Sequence, residues 1–328
     1  MSYTHLTEQE RVCIFHQRMC KLSLAEIGRR LNRHRATIGR ELKRFRKHPG
    51  WPYFRQYFPD SADTLARQRR SRPRGFRWTK HRPLLTYVLR KLREEWSPEQ
   101  ISGRIKDDFP GDDRMRVSHP SIYQYIHSDR VAGGSLWKRL RQSHKLRRRP
   151  YGSGPRRCRI PDRVGIEQRP RQVESRKQIG HWEADTVLGR RGRLATCVER
   201  KSRYVLIARL PGGKAIEFNA AALRCFKRIP SRWRKTITTD NGSEFIEHRH
   251  LSARLGFKTF FADPYSSCQR GTNENTNGLI RQYFPKRTDL SQVSYQRVAR
   301  IAMKLNNRPR KCLDYRTPAE VLGSALRL

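Results

Sequence analysis

The chain reads as multidomain: an all-α N-terminal region of the helix-turn-helix kind, followed by an α/β domain. Three observations support this. Two segments before residue 130 carry apolar residues at helical spacing behind good N-caps. From Gly180 onward, short β-branched and apolar runs alternate with helical patterns. Proline- and arginine-rich stretches without apolar periodicity separate these regions.

In the first unit, residues 1–48, Thr7 and Glu10 form a capping-box pattern that opens a helix running to about Met19. Ser23 caps a second helix over 24–31, with Leu24, Ile27 and Leu31 facing inward. Asn32 then suits a left-handed turn. A third helix over 35–45 turns Ile38, Leu42 and Phe45 inward and presents Arg35, Thr37, Arg40, Lys43 and Arg44 outward. Two short helices across a tight turn, the second one basic, read as a helix-turn-helix. Arg33, Arg35 and Thr37 are expected at base edges, and Arg40 and Arg44 at phosphates.

Residues 49–80 read as an extended basic linker with Pro49, Pro52, Pro59 and Pro73. A second helical unit spans 81–130, with helices over 84–95 and 99–107 and a third capped by Ser118. Its turn is long, and Asp107, Asp108, Asp112 and Asp113 oppose DNA locally, so DNA-binding and structural or dimerising roles both stay open. A second basic linker covers 131–175, with nine basic and no acidic residues between 139 and 159. The α/β domain, 176–328, is expected to contain strands over 181–188, 194–199, 204–210, 235–239 and 258–262. Helices are expected over 215–228 and 251–255, and another from near Asn273.

Composition limits the partner. Over 328 residues, 73 Lys+Arg face 29 Asp+Glu, a formal charge of +44. Residues 1–180 carry +27 and residues 181–328 carry +17, so neither half is neutral. Such a surplus calls for a polyanion, and nucleic acid leads because counterion release drives that association. No stretch approaches the roughly 20 apolar residues of a membrane span. Seven scattered cysteines without a CxxC argue against a disulfide framework or a Cys-rich zinc site and fit a reducing compartment.

In the α/β domain the few acidic residues are informative. Asp185 lies in the first strand, Asp240 ends a later strand within Thr-Thr-Asp-Asn-Gly-Ser-Glu-Phe, and Glu274 opens a helix. Three carboxylates converging in a basic domain would repel one another unless they held hard cations, and Mg2+ suits such oxygen donors. Two such ions would clamp the attacking and leaving oxygens of an in-line phosphoryl transfer. Glu183 competes with Asp185 on periodicity alone, since i and i+2 share a strand face. Glu244 is expected to cap or solvate a loop, Trp182 to be core, and His181 to be a packed or surface histidine. Asn241, Asn273, Asn277 and Arg281 are further candidates for DNA contact, Arg281 foremost.

Three blocks, 180–187, 239–245 and 263–285, resemble the core of the IS thirty family of bacterial insertion-sequence transposases. The 33 residues between Asp240 and Glu274 match that family's Asp-Asp-Glu spacing, and the 24–32 and 38–42 segments resemble its DNA-binding domain. The resemblance implies a ribonuclease H-like, integrase-type catalytic core with Asp185, Asp240 and Glu274 as catalytic and metal-binding residues. It favours Asp185 over Glu183. It also implies two Mg2+ ions (with Mn2+ as a substitute) and binding to double-stranded DNA at the element's inverted-repeat ends and at target DNA. Strand cleavage and strand transfer would take place in a homo-oligomer of at least two copies, in the bacterial cytoplasm at the nucleoid. Among rivals, a retroviral-type integrase would need a CxxC that this chain lacks. A catalytically inactive, transposase-derived DNA-binding regulator would keep the helix-turn-helix but has no use for an intact acidic triad. An RNA-binding or ribonuclease role fits the charge, yet the two helical units in front point to duplex DNA.

Overall fold

The computed structural model describes residues 5–46, 57–71, 75–141, 160–263 and 266–326. It divides into two compact units, 1–75 and 76–328.

The first unit contains α1 (Glu8–Met19), α2 (Leu24–Arg30), α3 (Arg35–Arg46) and α4 (Pro59–Ser71). Thr7 and Glu10 close the expected capping box on α1, and Ser23 caps α2. Asn32 takes φ 50° in the α2–α3 turn. That turn is tight: a Cβ on Gly28 would stand 2.6 Å from the carbonyl oxygen of Arg33. Ile14, Ile27 and Ile38 form the core with Leu6, Tyr57 and Ala62. Residues 59–71 correct the expectation of an extended linker. Pro59 sits at the start of α4, where a missing N–H costs nothing. Asp63 is then drawn into a buried ion pair with Arg11, which Glu41 also binds. Residues 49–56 and 72–74 of that linker, and 47–48 before it, lie outside the described residues.

The second unit begins with α5 (Arg82–Arg93), α6 (Pro98–Asp108) and α7 (His119–Val131) around Leu84, Val88, Leu92, Ile101, Ile105, Ile122 and Ile126. Ser97 and Gln100 form a capping box on α6, with Pro98 in its first turn. Leu136, Trp137 and Leu140 pack onto the same core, so 136–140 is part of this bundle rather than linker. Residues 142–159 lie outside the described residues.

A five-stranded sheet follows: β1 (His181–Leu188), β2 (Arg193–Glu199), β3 (Val205–Leu210), β4 (Thr236–Thr239) and β5 (Lys258–Phe261), in the order β3-β2-β1-β4-β5. β1, β2 and β3 pair antiparallel, while β4 joins β1 and β5 joins β4 in parallel. Helices α8 (Ala215–Phe226) and α9 (His248–Leu255) cover one face against Trp182, Ala184 and Ile237. Helices α10 (Gly271–Tyr283) and α11 (Tyr295–Asn306) cover the other against Val187, Leu194 and Val205, and α12 (Pro318–Leu326) ends the described chain. Residues 160–173 also correct the linker expectation. Ile160 and Val173 are buried, and Gly165 bridges to Phe261 at the sheet edge.

The helical bundle docks on the end of the α/β domain through α6. Arg104 makes a forked ion pair with Glu320 of α12 (Nη1–Oε2 2.7 Å, Nη2–Oε1 2.5 Å). Gln100 donates to the Pro309 carbonyl at 2.8 Å, and Gly103 leaves room for the Tyr315 ring.

Candidate active site

Side chains along β1 alternate. Trp182 and Ala184 enter the core beneath α8, while Glu183, Asp185 and Val187 face α10. The parallel register pairs His181 with Thr236, Trp182 with Ile237 and Glu183 with Thr238. Continued two residues on, it sets Asp185 beside Asp240, the residue that follows β4. The Asn-Gly sequence then turns the chain away: Asp240 Oδ1 accepts from the Gly242 N–H at 3.0 Å.

Arg270, immediately before α10, joins the two acids. Its Nη2 donates to Asp240 Oδ2 at 3.1 Å, and its Nη1 lies 3.7 Å from Asp185 Oδ1. Asp185 also accepts from the Thr186 N–H and from Asn277 Nδ2, both at 2.8 Å. Burial pushes the Asp185 carboxyl up to about 6, with Arg270 acting against that rise and the charge of Asp240 adding to it. Two carboxylates gathered on one cation form a hard-oxygen set of the kind that suits Mg2+.

Glu183 has a different occupation. It is fully buried, accepting from Arg200 Nη1 at 2.9 Å and from the Asn273 N–H at 2.8 Å. It therefore pins the first turn of α10 to β1. Arg200 in turn reaches Glu174, which Arg169 also binds.

Glu274, one residue past the pinned Asn273, is exposed, and its side chain makes no hydrogen bond or ion pair among the described residues. No grouping of three His, Cys, Asp or Glu side chains that could hold a metal ion occurs among them. The structure thus brings Asp185 and Asp240 together, while Glu274 completes no metal-holding group with them among the described residues.

Glu244 departs from expectation. It is 8% exposed and accepts from the Thr186 hydroxyl at 2.6 Å, so it buttresses the strand beside Asp185 rather than solvating a loop. Gly242 makes room, since a Cβ there would meet the carboxylates of both Glu244 and Asp240. Sequence reasoning misses Arg270 and Arg200 as site residues and weighs Glu244 toward the loop. Arg270 sits in a Gln-Arg-Gly run with no pattern, and only the fold carries it to acids 30 and 85 positions away.

The DNA-contact candidates fall into groups. Arg35 and Arg40 are exposed on α3 and Thr37 is half-buried. Arg33, expected at base edges, is instead half-buried in an ion pair with Glu10 at 2.8 Å. Its guanidinium ties α1 to the turn because Glu10, in the capping box, faces that turn. Arg44 lies on α3, with its side chain outside the described residues. Asn241 accepts from Arg163 Nε at 2.8 Å and donates to the Ala262 carbonyl at 2.9 Å, which fixes the loop after β4. Asn277 holds Asp185, as described above. Arg281 on α10 is half-buried, and its Nη1 has no hydrogen-bond partner among the described residues. His181 is packed, bonded through Nδ1 to Thr236 Oγ1 at 2.9 Å, and Trp182 is core. No described helix is long and apolar enough to cross a membrane.

A helix-turn-helix unit preceding an integrase-type α/β core defines the class of enzymes that cut and rejoin DNA, the transposases and integrases. Family comparison agrees on both parts: residues 2–44 match the family described as helix-turn-helix domain, and 175–267 match the integrase core domain. The second match includes Asp185 and Asp240 and ends before Glu274.

The chain belongs to the IS30 family of transposases. It is 40% identical over 330 residues to transposase InsI for insertion sequence element IS30A of Escherichia coli strain K12, spanning 99% of this chain and 85% of that one. The transposase for insertion sequence element IS1086 of Cupriavidus metallidurans is 37% identical over 332 residues, covering 99% and 96%. Among solved structures, the catalytic core domain of BIV integrase aligns at TM-score 0.37 and 19% identity, over 46% of this chain and 97% of that one.

Proposed function

We propose that this transposase binds the terminal inverted repeats of its insertion sequence and carries out Mg2+-dependent strand cleavage and strand transfer. Asp185, Asp240 and Glu274 hold the metal in this reading. The observation that carries it is the pairing of Asp185 with Asp240 across the β1–β4 register, two acids already sharing one cation, Arg270. Bound there, Mg2+ supplies Lewis acidity and lowers the pKa of water or of a 3′ hydroxyl.

The chain's own groups do the rest. Asn277 and the Thr186 N–H orient the Asp185 carboxylate, and Glu244 holds Thr186 in place. Glu183 anchors the start of the helix that carries Glu274. Arg270, displaced from the acids, is left to pair with a DNA phosphate. The exposed face of α3, with Arg35 and Arg40, reads the repeat. Joining two element ends calls for at least two copies.

The test incubates the full-length protein with supercoiled DNA carrying a pair of inverted repeats, with Mg2+ and with EDTA. Mg2+-dependent nicking at the repeat ends, lost in Asp185→Asn, Asp240→Asn and Glu274→Gln, is the expected result. Metal-independent cleavage or a covalent protein–DNA adduct would overturn it. A second reading, the inactive DNA-binding regulator, draws on the outward position of Glu274. It requires repeat binding with no cleavage under any metal.

A further inference from the structure

A groove of about 710 Å³ opens between α10 and the segment that follows α7. Lys138, Arg139 and Arg141 line it from the bundle side, and Arg281 and Lys286 from the α/β side. The one carboxylate among the described lining residues, Glu95, is already bound by Lys304 at 3.2 Å. Positive charge in the groove is therefore almost uncompensated.

Two further details suit an anionic ligand. Arg281 Nη1 and Arg141 Nε are both buried without a hydrogen-bond partner among the described residues. An anion in the groove would offer each of them an acceptor. Gly278 keeps the wall of α10 bare, since a Cβ there would come within 3.0 Å of Arg141 Nη2. The guanidinium can thus lie against the helix.

The groove is also aligned with the candidate active site. Glu274, Gly278 and Arg281 stand at i, i+4 and i+7 on α10 and share one helix face. The opposite face, with Thr276, Leu279 and Ile280, is buried. A strand lying along this face would pass from Arg281 to Glu274 over about 10 Å of helix.

We propose that this groove holds the phosphodiester backbone of the DNA strand leading into the acidic site, with Arg141 and Arg281 as its phosphate ligands. Planar guanidinium forks match phosphate oxygens in pairs, and cations set on two walls suit successive phosphates better than a single small anion. The segment trailing the second helical unit then forms one wall of the DNA cleft. This unit contacts DNA through that tail rather than through a recognition helix. The inference rests on the transposase reading above.

The test measures binding of the full-length protein to a 30-base-pair duplex, in random sequence and in repeat sequence, across a salt series. Arg141→Gln/Arg281→Gln is one variant. Lys138→Gln/Lys286→Gln, at exposed positions, is a second that leaves packing untouched. Each is expected to weaken binding to both sequences about tenfold near physiological salt. Each should also flatten the slope of log K against log salt by close to 2, about 0.9 per phosphate contact. Unchanged slopes in both variants, with wild-type protein binding and cleaving DNA, overturn the groove alone. A wild-type protein that binds neither duplex overturns the transposase reading and the groove with it.

Discussion

Arg270 donates from Nη2 to Asp240 Oδ2 across 3.1 Å, and the same guanidinium lies 3.7 Å from Asp185. One side chain of the protein thus supplies the positive charge between two acids proposed to hold a metal. A cation in that place competes with any other cation. Arg270→Gln is expected to lower the Mn2+ concentration at half-maximal thermal stabilisation several-fold, in protein without DNA. It should also lower the melting temperature in EDTA, where Asp185 and Asp240 repel each other unscreened. Thermal melts over a Mn2+ series decide it, and an unchanged midpoint would show that Arg270 and the metal do not share the place.

Asp185 and Glu183 are separated by a single residue, yet their variants should move stability in opposite directions. Burial holds the Asp185 carboxyl near 6, so at pH 7 its charge is a cost to the fold. Asp185→Asn removes that cost and should stabilise the metal-free protein by on the order of 1–3 kcal/mol while abolishing cleavage. Glu183→Gln strips Arg200 of a buried partner and should destabilise by roughly 3 kcal/mol. Urea unfolding of both variants at pH 7 gives the comparison. Stabilisation by Glu183→Gln would refute its anchoring role.

His181 gives the fold a pH dependence of definite sign. Burial, with Lys235, Arg200 and Arg169 adding repulsion, pulls its imidazole down to about 4. Between pH 6.5 and 4 the unfolded chain takes up a proton that folded His181 refuses, so stability falls as the pH drops through that window. Asp185 opposes this: from pH 6 down to 3.8 the folded state protonates first, and stability rises. Melting temperatures from pH 7 to 4.5 should therefore decline less steeply in His181→Gln than in wild type. Parallel curves would count against the assignment.

In the N-terminal unit, Gly28→Ala drives a methyl group to within 2.6 Å of the Arg33 carbonyl oxygen. The α2–α3 turn has to open, at a cost of about 1–3 kcal/mol. Repeat binding should fall sharply while the circular dichroism of the α/β domain persists. Wild-type affinity in this variant would mean that the turn geometry is not needed for DNA recognition.

Much of this architecture is legible in the sequence for local reasons. The caps at Thr7, Ser23 and Ser97 and the alternation along 181–188 are short-range signals, and the observed elements begin within a residue or two of them. Asp185 and Asp240 stand out because acids are scarce in a basic domain. Residues 59–71 and 160–173 mislead because they lie next to proline- and arginine-rich stretches and carry prolines of their own. Their order comes from partners far along the chain, such as Arg11 for Asp63 and Phe261 for Gly165, and from burial of Ala62, Ile160 and Val173. Arg270, Arg200 and Glu244 are illegible for the same reason: their significance lies in partners that only the sheet and α10 assemble.

The register of β1 against β4 has a further consequence. Trp182 and Ala184 fill the hydrophobic core from one side of the strand, while Glu183 and Asp185 meet polar partners on the other. Gaining or losing one residue in β1 would drive tryptophan into the acidic crevice and carboxylates into the oil. The alignment of the two acids is thus enforced by the same packing that keeps the domain folded. Drift in this strand is removed as misfolding before it can surface as poor chemistry.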